Sequence, residues 1–273
     1  MKRVMIVAVL LAVGLAGVAF GQVKAKDGVY FAQDNDFAPQ GGWKDQVVVT
    51  VAGGKITKVT WNGVSNLGGA DKKTVAAAGG YGMKKASKLG QEWDQQAAAV
   101  EAYLVKTQDV GFSKFTASGS TDAITGASLT VKGFFALVNK ALASPPVAKG
   151  IYKKDGWYFQ QQADFDKTTG WKDSVLVTVV NGTVVDVLWN GTFKDATRKS
   201  KLVEAREGRY GMAKVAKKGE WNVQAAAVEA AIVKAQDPAK IALKPDTTTD
   251  AITGASIHAT AVVLAAEALK AAR

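Results

Sequence analysis

Thr121-Asp122-Ala123-Ile124-Thr125-Gly126-Ala127-Ser128 returns letter for letter as Thr249-Asp250-Ala251-Ile252-Thr253-Gly254-Ala255-Ser256, 249 − 121 = 128 residues further on. Solenoid repeats run roughly 20–50 residues, so this spacing reads as a duplicated domain. Within each copy the residue types predict a backbone turn that presents a hydroxyl. Asp122 and Asp250 can bond nearby backbone N–H groups in an Asx-turn, and Gly126 and Gly254 permit positive φ or close approach of another group. Ser128 and Ser256 stand where a helical pattern begins. That is the position of an N-cap, and of a bound anion facing free N–H groups and the helix dipole. An identical second copy, in halves that differ at many other positions, argues for more than capping.

From Asp27 onward the halves align at the same offset with almost no gaps. Gly42-Trp43-Lys44-Asp45 returns as Gly170-Trp171-Lys172-Asp173, and Trp61-Asn62-Gly63 as Trp189-Asn190-Gly191. Tyr81-Gly82-Met83 returns one residue late, at Tyr210-Gly211-Met212, and the shift is undone before Glu220-Trp221. One residue gained and one lost places both changes in a surface loop. Ser144-Pro145-Pro146 makes a short stiff linker. The expected organisation is a leader over 1–22, a first domain over 23–143, a linker over 144–147 and a second domain over 148–273.

Each half predicts the same elements. Val29-Tyr30-Phe31 and Trp157-Tyr158-Phe159 read as a first strand. The β-branched runs 46–51 and 174–180 are followed by Gly53-Gly54 and Asn181-Gly182, two-residue hairpin turns whose central positions need positive φ. Alternation in the return strands puts Thr57, Val59 and Trp61 on one face, matched by Val185, Val187 and Trp189. The period then changes to that of a helix. Trp93, Ala97, Val100 and Leu104 make one apolar face, as do Trp221, Ala225, Val228 and Ile232. A second helix follows the octapeptide, with Val131, Phe135, Val138 and Leu142 in the first half and Val262, Ala266 and Leu269 in the second. Strands first and helices after imply an α+β class: two tandem domains, each an antiparallel sheet packed against helices.

Lys2 and Arg3 precede an apolar run over 4–20, and small residues Ala19 and Gly21 precede Gln22, the pattern of a cleaved secretory signal peptide. Export is expected, with the mature protein soluble and periplasmic or extracellular. The chain has no cysteine, which excludes disulfides, Cys-based metal sites and a lipid-modified Cys. Its net charge of +11 is spread singly rather than in a nucleic-acid-binding arm, and export speaks against nucleic acid. A solvated basic surface facing anionic lipid or an acidic protein is the expected reading.

Familiar catalytic sets do not assemble. The single histidine, His258, has Thr130 as its counterpart, so a His-based triad or metal site cannot be built twice; it is expected on a helix surface. No phosphate-binding Gly-rich loop with Lys follows a strand. No catalytic residue and no metal site is assigned. The hydroxyls remain.

Here the sequence resembles the FMN-binding domain family, whose motif has the form Asp-x-x-[Ser/Thr]-Gly-Ala-[Thr/Ser]. Asp122-Ala123-Ile124-Thr125-Gly126-Ala127-Ser128 matches it in full, as does Asp250-Ala251-Ile252-Thr253-Gly254-Ala255-Ser256. Members include the flavinylated subunits of the sodium-pumping NADH:quinone reductase and of the related ferredoxin-linked ion pump. The resemblance extends over most of each repeat, through the Gly-Trp-Lys segment, the Tyr-x-Met segment and the Trp-containing helix.

The resemblance implies two FMN groups, each joined by a phosphodiester to Ser128 or Ser256, where the family more often has Thr. Thr125-Gly126-Ala127 and Thr253-Gly254-Ala255 would shape the turn around the phosphate. It implies as partners a flavin transferase using FAD and Mg²⁺, which would recognise Asp122 and Asp250, and a redox donor and acceptor, membrane-bound or not. Trp61, Tyr81 and Met83, with Trp189, Tyr210 and Met212, are core residues first and candidate flavin cover second. An exported electron carrier is the reading preferred over a stand-alone enzyme. A module holding FMN or another anionic ligand without a covalent bond, and an extracellular flavin-dependent reductase, are the alternatives.

Overall fold

The computed structural model describes residues 23–273; the leader expected over 1–22 lies outside them. Strands β1 (Gly28–Gln33), β2 (Trp43–Ala52) and β3 (Lys55–Ser65) form one antiparallel sheet in that order, and β4 (Gly156–Gln161), β5 (Trp171–Val180) and β6 (Thr183–Phe193) form another. The hairpins turn where the sequence places them. Gly53 and Gly54 have φ of 60° and 71°, and Asn181 and Gly182 have 50° and 72°, as a two-residue turn joining twisted strands requires. Helices α1 (Lys72–Ala77), α2 (Trp93–Thr107) and α3 (Lys132–Ala143) cover the first sheet, and α4 (Lys201–Arg206), α5 (Trp221–Ala235) and α6 (Thr260–Ala268) the second. The fold is α+β, as the change of period implies. Among the described residues no helix is long and apolar enough to cross a membrane.

One detail of the strand reading is corrected. The pairing Val49↔Val59 passes to Val51↔Ile56 across a bulge, so Ile56 joins Val59 and Trp61 in the core while Thr57 is exposed. The second sheet repeats this with Val177↔Val187 and Val179↔Val184, leaving Val185 half-buried. A bulge inserts one residue and breaks the period of two. A glutamine at the end of the long helix holds it in place. Gln108 Oε1 accepts the Ile56 N–H at 2.7 Å and its amide donates to the Ile56 carbonyl at 2.9 Å; Gln236 does the same for Val184, both contacts at 2.9 Å.

The helical stripes pack as expected: Trp93, Ala97, Val100 and Leu104 are buried, and so are Trp221, Ala225, Val228 and Ile232. Trp61 meets Trp93 edge-on at 5.1 Å, and Trp189 meets Trp221 likewise at 5.1 Å; such pairs add about 0.5–1.5 kcal/mol beyond area burial. In α3, Phe134 is as buried as Phe135, while α6 buries Ala261, Leu264 and Ala265 and leaves Ala266 half-buried.

The two sheets also meet each other. Gln46, fully buried on the outer side of β2, donates to Gln33 Oε1 and to Asp186 Oδ2, both at 2.9 Å. Its own Oε1 accepts from the Trp157 indole at 2.6 Å and the Thr178 hydroxyl at 3.2 Å. All four hydrogen-bonding positions of the amide are filled, the condition under which a buried polar side chain stabilises a contact. The Pro segment is pinned from both sides: Val147 N–H donates to the Val29 carbonyl at 2.7 Å, and Asn181 Nδ2 donates to the Val147 carbonyl at 2.8 Å.

A second pair of clamps differs between the halves. Glu101 accepts the Trp61 N–H at 2.6 Å and pairs with Lys73 at 2.6 Å, so the cation offsets the burial that raises its pKa. Glu229 accepts the Trp189 N–H at 2.6 Å, but Leu202 occupies the position of Lys73. Glu229 keeps some exposure into a cavity of about 450 Å³ between the halves. Even so, the protein crowding its carboxyl, with Asp186 nearby, pushes its pKa up to about 8.

Candidate functional site

Each octapeptide is anchored at its start by threonine. Thr121 Oγ1 donates to the Lys114 carbonyl at 2.7 Å and accepts the Ala123 N–H at 3.1 Å. Thr249 does the same with the Ala242 carbonyl at 2.6 Å and the Ala251 N–H at 3.0 Å. This corrects the Asx-turn expected of Asp122 and Asp250, since a hydroxyl can both accept and donate where a carboxylate only accepts. Asp122 is exposed, and Asp250 is exposed and paired with Lys244 at 2.8 Å. Thr125 and Thr253 are exposed as well.

The turn then closes tightly on the long helix. Ala127 N–H donates to the Ile124 carbonyl and Ala255 N–H to that of Ile252, both at 3.3 Å. Gly126 and Gly254 have φ of 87° and 96°. A Cβ on Gly126 would lie 3.1 Å from the Ala99 methyl, and one on Gly254 would lie 3.4 Å from that of Ala227. Here glycine serves both of its expected purposes, left-handed backbone and close approach.

Ser128 and Ser256 are not helix caps. Helix α3 begins at Lys132 and α6 at Thr260, four residues later in each case, and neither cap residue makes a side-chain cap hydrogen bond. The N–H groups of Val131 and Lys132 donate to the Gly119 carbonyl, and that of Ala259 to the Thr247 carbonyl. The preceding loop has therefore taken the amide just before each helix and, in α3, the first helical amide as well, and neither serine caps them. Each serine is held by a glutamine on the long helix instead. Ser128 N–H and Oγ donate to Gln96 Oε1 at 2.7 and 3.0 Å, and Ser256 N–H and Oγ donate to Gln224 Oε1 at 2.8 and 3.1 Å. Both glutamines are fully buried while both serines are exposed. With its proton committed to the amide oxygen, each hydroxyl presents its lone pairs outward.

Beside each serine stands a Trp–Tyr–Trp array around a lysine–aspartate pair whose lysine is buried. Tyr81 lies 5.9 Å from Trp43 and 6.2 Å from Trp93, and Tyr210 lies 5.9 Å from Trp171 and 6.2 Å from Trp221. Lys72 Nζ sits 4.3 Å from the Trp93 ring centre and 2.9 Å from Asp45 Oδ1. Lys201 Nζ sits 4.9 Å from that of Trp221 and 2.9 Å from Asp173 Oδ1. The rings give a cation–π contribution of about 2 kcal/mol when desolvated, and the carboxylate makes burial of the lysine tolerable. Burial, then Asp173 and Glu220, push the Tyr210 hydroxyl up to about 12, and burial raises Tyr81, so both stay neutral.

In the second half these groups open onto a cavity of about 540 Å³ whose walls include Trp171, Lys201, Tyr210, Met212, Trp221 and Ser256. That lies within the roughly 300–1,000 Å³ of cofactor sites, and flat aromatic walls, a cation and a presented hydroxyl suit a planar ring carrying a phosphate. Tyr210 and Met212, candidates for flavin cover, line this cavity. Trp61 and Trp189 do not; they are 2% and 1% exposed and belong to the core. His258, expected on a helix surface, precedes α6 and lines the same cavity, its Nδ1 within hydrogen-bond distance of the Asp246 carbonyl.

Sequence reasoning missed Gln96, Gln224 and the Lys–Asp pairs. A readable signal existed for the glutamines: each lies three residues after Trp93 or Trp221 and four before Val100 or Val228, a polar residue on a buried apolar face, in both copies. Lys72 and Lys201 lie in the part where the two halves run out of register, and this hid their equivalence.

A family model described as the FMN-binding domain matches residues 42–143. Among solved structures, a solution NMR structure of a protein from Clostridium thermocellum is 44% identical, over 45% of this chain and 95% of that one, with a TM-score of 0.36. A crystal structure of a protein from Clostridium perfringens is 26% identical, over 43% of this chain and 86% of that one, with a TM-score of 0.33. No curated protein matches.

Proposed function

Because the chain belongs to the FMN-binding domain family, we propose that it is an exported electron-transfer flavoprotein carrying two FMN groups, joined by phosphodiesters to Ser128 Oγ and Ser256 Oγ. The observation that carries this reading is the duplicated serine. In both halves an exposed hydroxyl is aimed by a fully buried glutamine beside an aromatic array that encloses a lysine. FMN, when bound, supplies one- and two-electron redox chemistry, and the protein supplies position and electrostatics.

Each part of the site has a role. Trp171, Tyr210 and Trp221 offer flat walls that keep water off a ring. Lys201, held by Asp173, places positive charge where electron uptake would add negative charge. Gln224 fixes the torsion of Ser256 and holds its proton, and Gln96 does so for Ser128. Attachment joins Oγ to the FMN phosphorus of an FAD donor, breaks the phosphorus–oxygen bond to AMP and releases the hydroxyl proton, with Mg²⁺ and a transferase outside this chain. A covalent tether suits a protein working outside the cytoplasm, where a dissociated cofactor is lost by dilution. The partners are that transferase, a donor and an acceptor.

Purification from a host that co-expresses the transferase, acid denaturation and peptide mass spectrometry test this. One FMN mass is expected on the peptide containing Ser128 and one on the peptide containing Ser256, with Ser128→Ala and Ser256→Ala each removing one. Unmodified peptides from protein whose yellow colour is lost on denaturation would leave a non-covalent FMN module in its place.

A further inference from the structure

The loops that leave each aromatic array carry uncompensated charge at the site. In the first half, residues 81–91 run Tyr-Gly-Met-Lys-Lys-Ala-Ser-Lys-Leu-Gly-Gln, and in the second, residues 210–219 run Tyr-Gly-Met-Ala-Lys-Val-Ala-Lys-Lys-Gly. Neither contains an acidic residue. Lys84, Lys85 and Lys88, and Lys214, Lys217 and Lys218, are exposed, and none forms an ion pair among the described residues.

The backbone of both loops is built alike. The Ala86 and Ser87 amides donate to the Met83 carbonyl, as those of Val215 and Ala216 do to the Met212 carbonyl. Glu92 and Glu220 spend their carboxylates on the Met83 and Met212 N–H groups, beneath the loop rather than on its lysines. Each loop also exposes one aliphatic side chain, Leu89 at 44% and Val215 at 86%. The lysines fall at shifted positions in the two sequences, yet three remain in each. The residues that begin the second loop, Tyr210 and Met212, are walls of the cavity itself.

We propose that these two loops are docking ports for an acidic protein that exchanges electrons with the cofactor site behind each loop. This rests on the flavin reading above. Three unpaired cations on a loop that leaves the aromatic array raise the local concentration of an anionic partner and steer its approach. The lone aliphatic tip gives a small apolar contact of the kind short-lived redox encounters use. A membrane surface is the poorer fit, because one aliphatic side chain per loop is too little apolar area to insert.

The test uses the full chain loaded with FMN, the triple variants K84E/K85E/K88E and K214E/K217E/K218E, and a control, K55E/K149E/K153E, of exposed lysines elsewhere. Stopped-flow oxidation of the reduced protein by ferricyanide, two anions taking two electrons from each flavin, is expected to slow roughly tenfold at the altered site at low salt. The control should move it little, and the difference should shrink as salt is raised. Labelled poly-L-glutamate, whose binding needs no flavin, should bind the wild type and the control and lose affinity for both loop variants. Equal ferricyanide rates or equal poly-L-glutamate binding in loop and control variants overturns the proposal. So does binding to phosphatidylglycerol vesicles that depends on the loop lysines while poly-L-glutamate binding does not. A protein that binds poly-L-glutamate through the loops but carries no flavin defeats the flavin reading instead.

Discussion

Gln96 Oε1 accepts both the backbone N–H and the hydroxyl of Ser128, at 2.7 and 3.0 Å, and Gln224 does the same for Ser256. One amide oxygen sets the position and the torsion of the residue proposed to carry the cofactor. Gln96→Leu is expected to leave the Ser128 N–H unpaired, costing about 1–3 kcal/mol, and to lower FMN occupancy at Ser128 several-fold. The Ser256 peptide of the same chain is the internal standard in the mass spectrum. Unchanged occupancy at Ser128 would show that the transferase does not need the hydroxyl aimed.

Gly126 rests 3.1 Å from the Ala99 methyl, measured from the Cβ it lacks, at φ 87°. Gly126→Ala adds left-handed strain of about 1–2 kcal/mol together with a tight contact. Ala99→Gly in the same chain should relieve the contact but not the strain. Thermal unfolding is therefore expected to show partial rescue of Tm in the double variant; full rescue would mean that only the contact matters.

Glu229 gives stability a pH dependence of definite sign. Its folded pKa of about 8 lies above its ordinary 4.5. Between those values the native carboxyl holds a proton that the unfolded chain has released, so stability falls as pH rises through this window. Glu229→Gln should flatten that fall, with a gain on the order of 1–2 kcal/mol at pH 8.5. Leu202→Lys, which recreates the Lys73–Glu101 pair of the first half, should move the fall to lower pH. Urea titrations at several pH values measure both; parallel curves for wild type and Glu229→Gln would remove the assignment.

Gln46 joins the two sheets with three hydrogen bonds, to Asp186, Trp157 and Thr178. Gln46→Leu leaves the Trp157 indole and the Thr178 hydroxyl without their acceptor and Asp186 with one donor fewer. The expected loss is about 2–4 kcal/mol, seen as a lower urea midpoint. A change below about 0.5 kcal/mol would mean that water replaces the amide.

Lys201→Met is expected to destabilise by about 3 kcal/mol because Asp173 is left buried with no counter-charge. Lys201→Met with Asp173→Asn should recover much of this. In the FMN-loaded protein the double variant should still show a lower reduction potential for the second site, since the cation that favours added negative charge is gone. An unchanged potential would assign the pair a purely structural role.

Local and periodic properties were legible in the chain. Asn181-Gly182 and Gly53-Gly54 turn the hairpins because few residues tolerate positive φ twice in succession, and Trp93-Ala97-Val100-Leu104 buries its face because helical period and apolarity coincide. The octapeptide, written twice, marked a candidate site, and the family match over 42–143 agrees with the family its residues resemble. What the tertiary structure alone decided is where hydrogen bonds go when several partners compete. Thr121 takes the turn expected of Asp122, the Gly119 carbonyl takes the amides that Ser128 was expected to cap, and Gln96, 32 residues away, takes Ser128. Likewise Lys72 reads as one more surface cation until Trp93, Tyr81 and Asp45 close around it. Periodicity reports which face of an element is buried; which polar groups meet there depends on the packing of elements distant in sequence, and no local pattern encodes it.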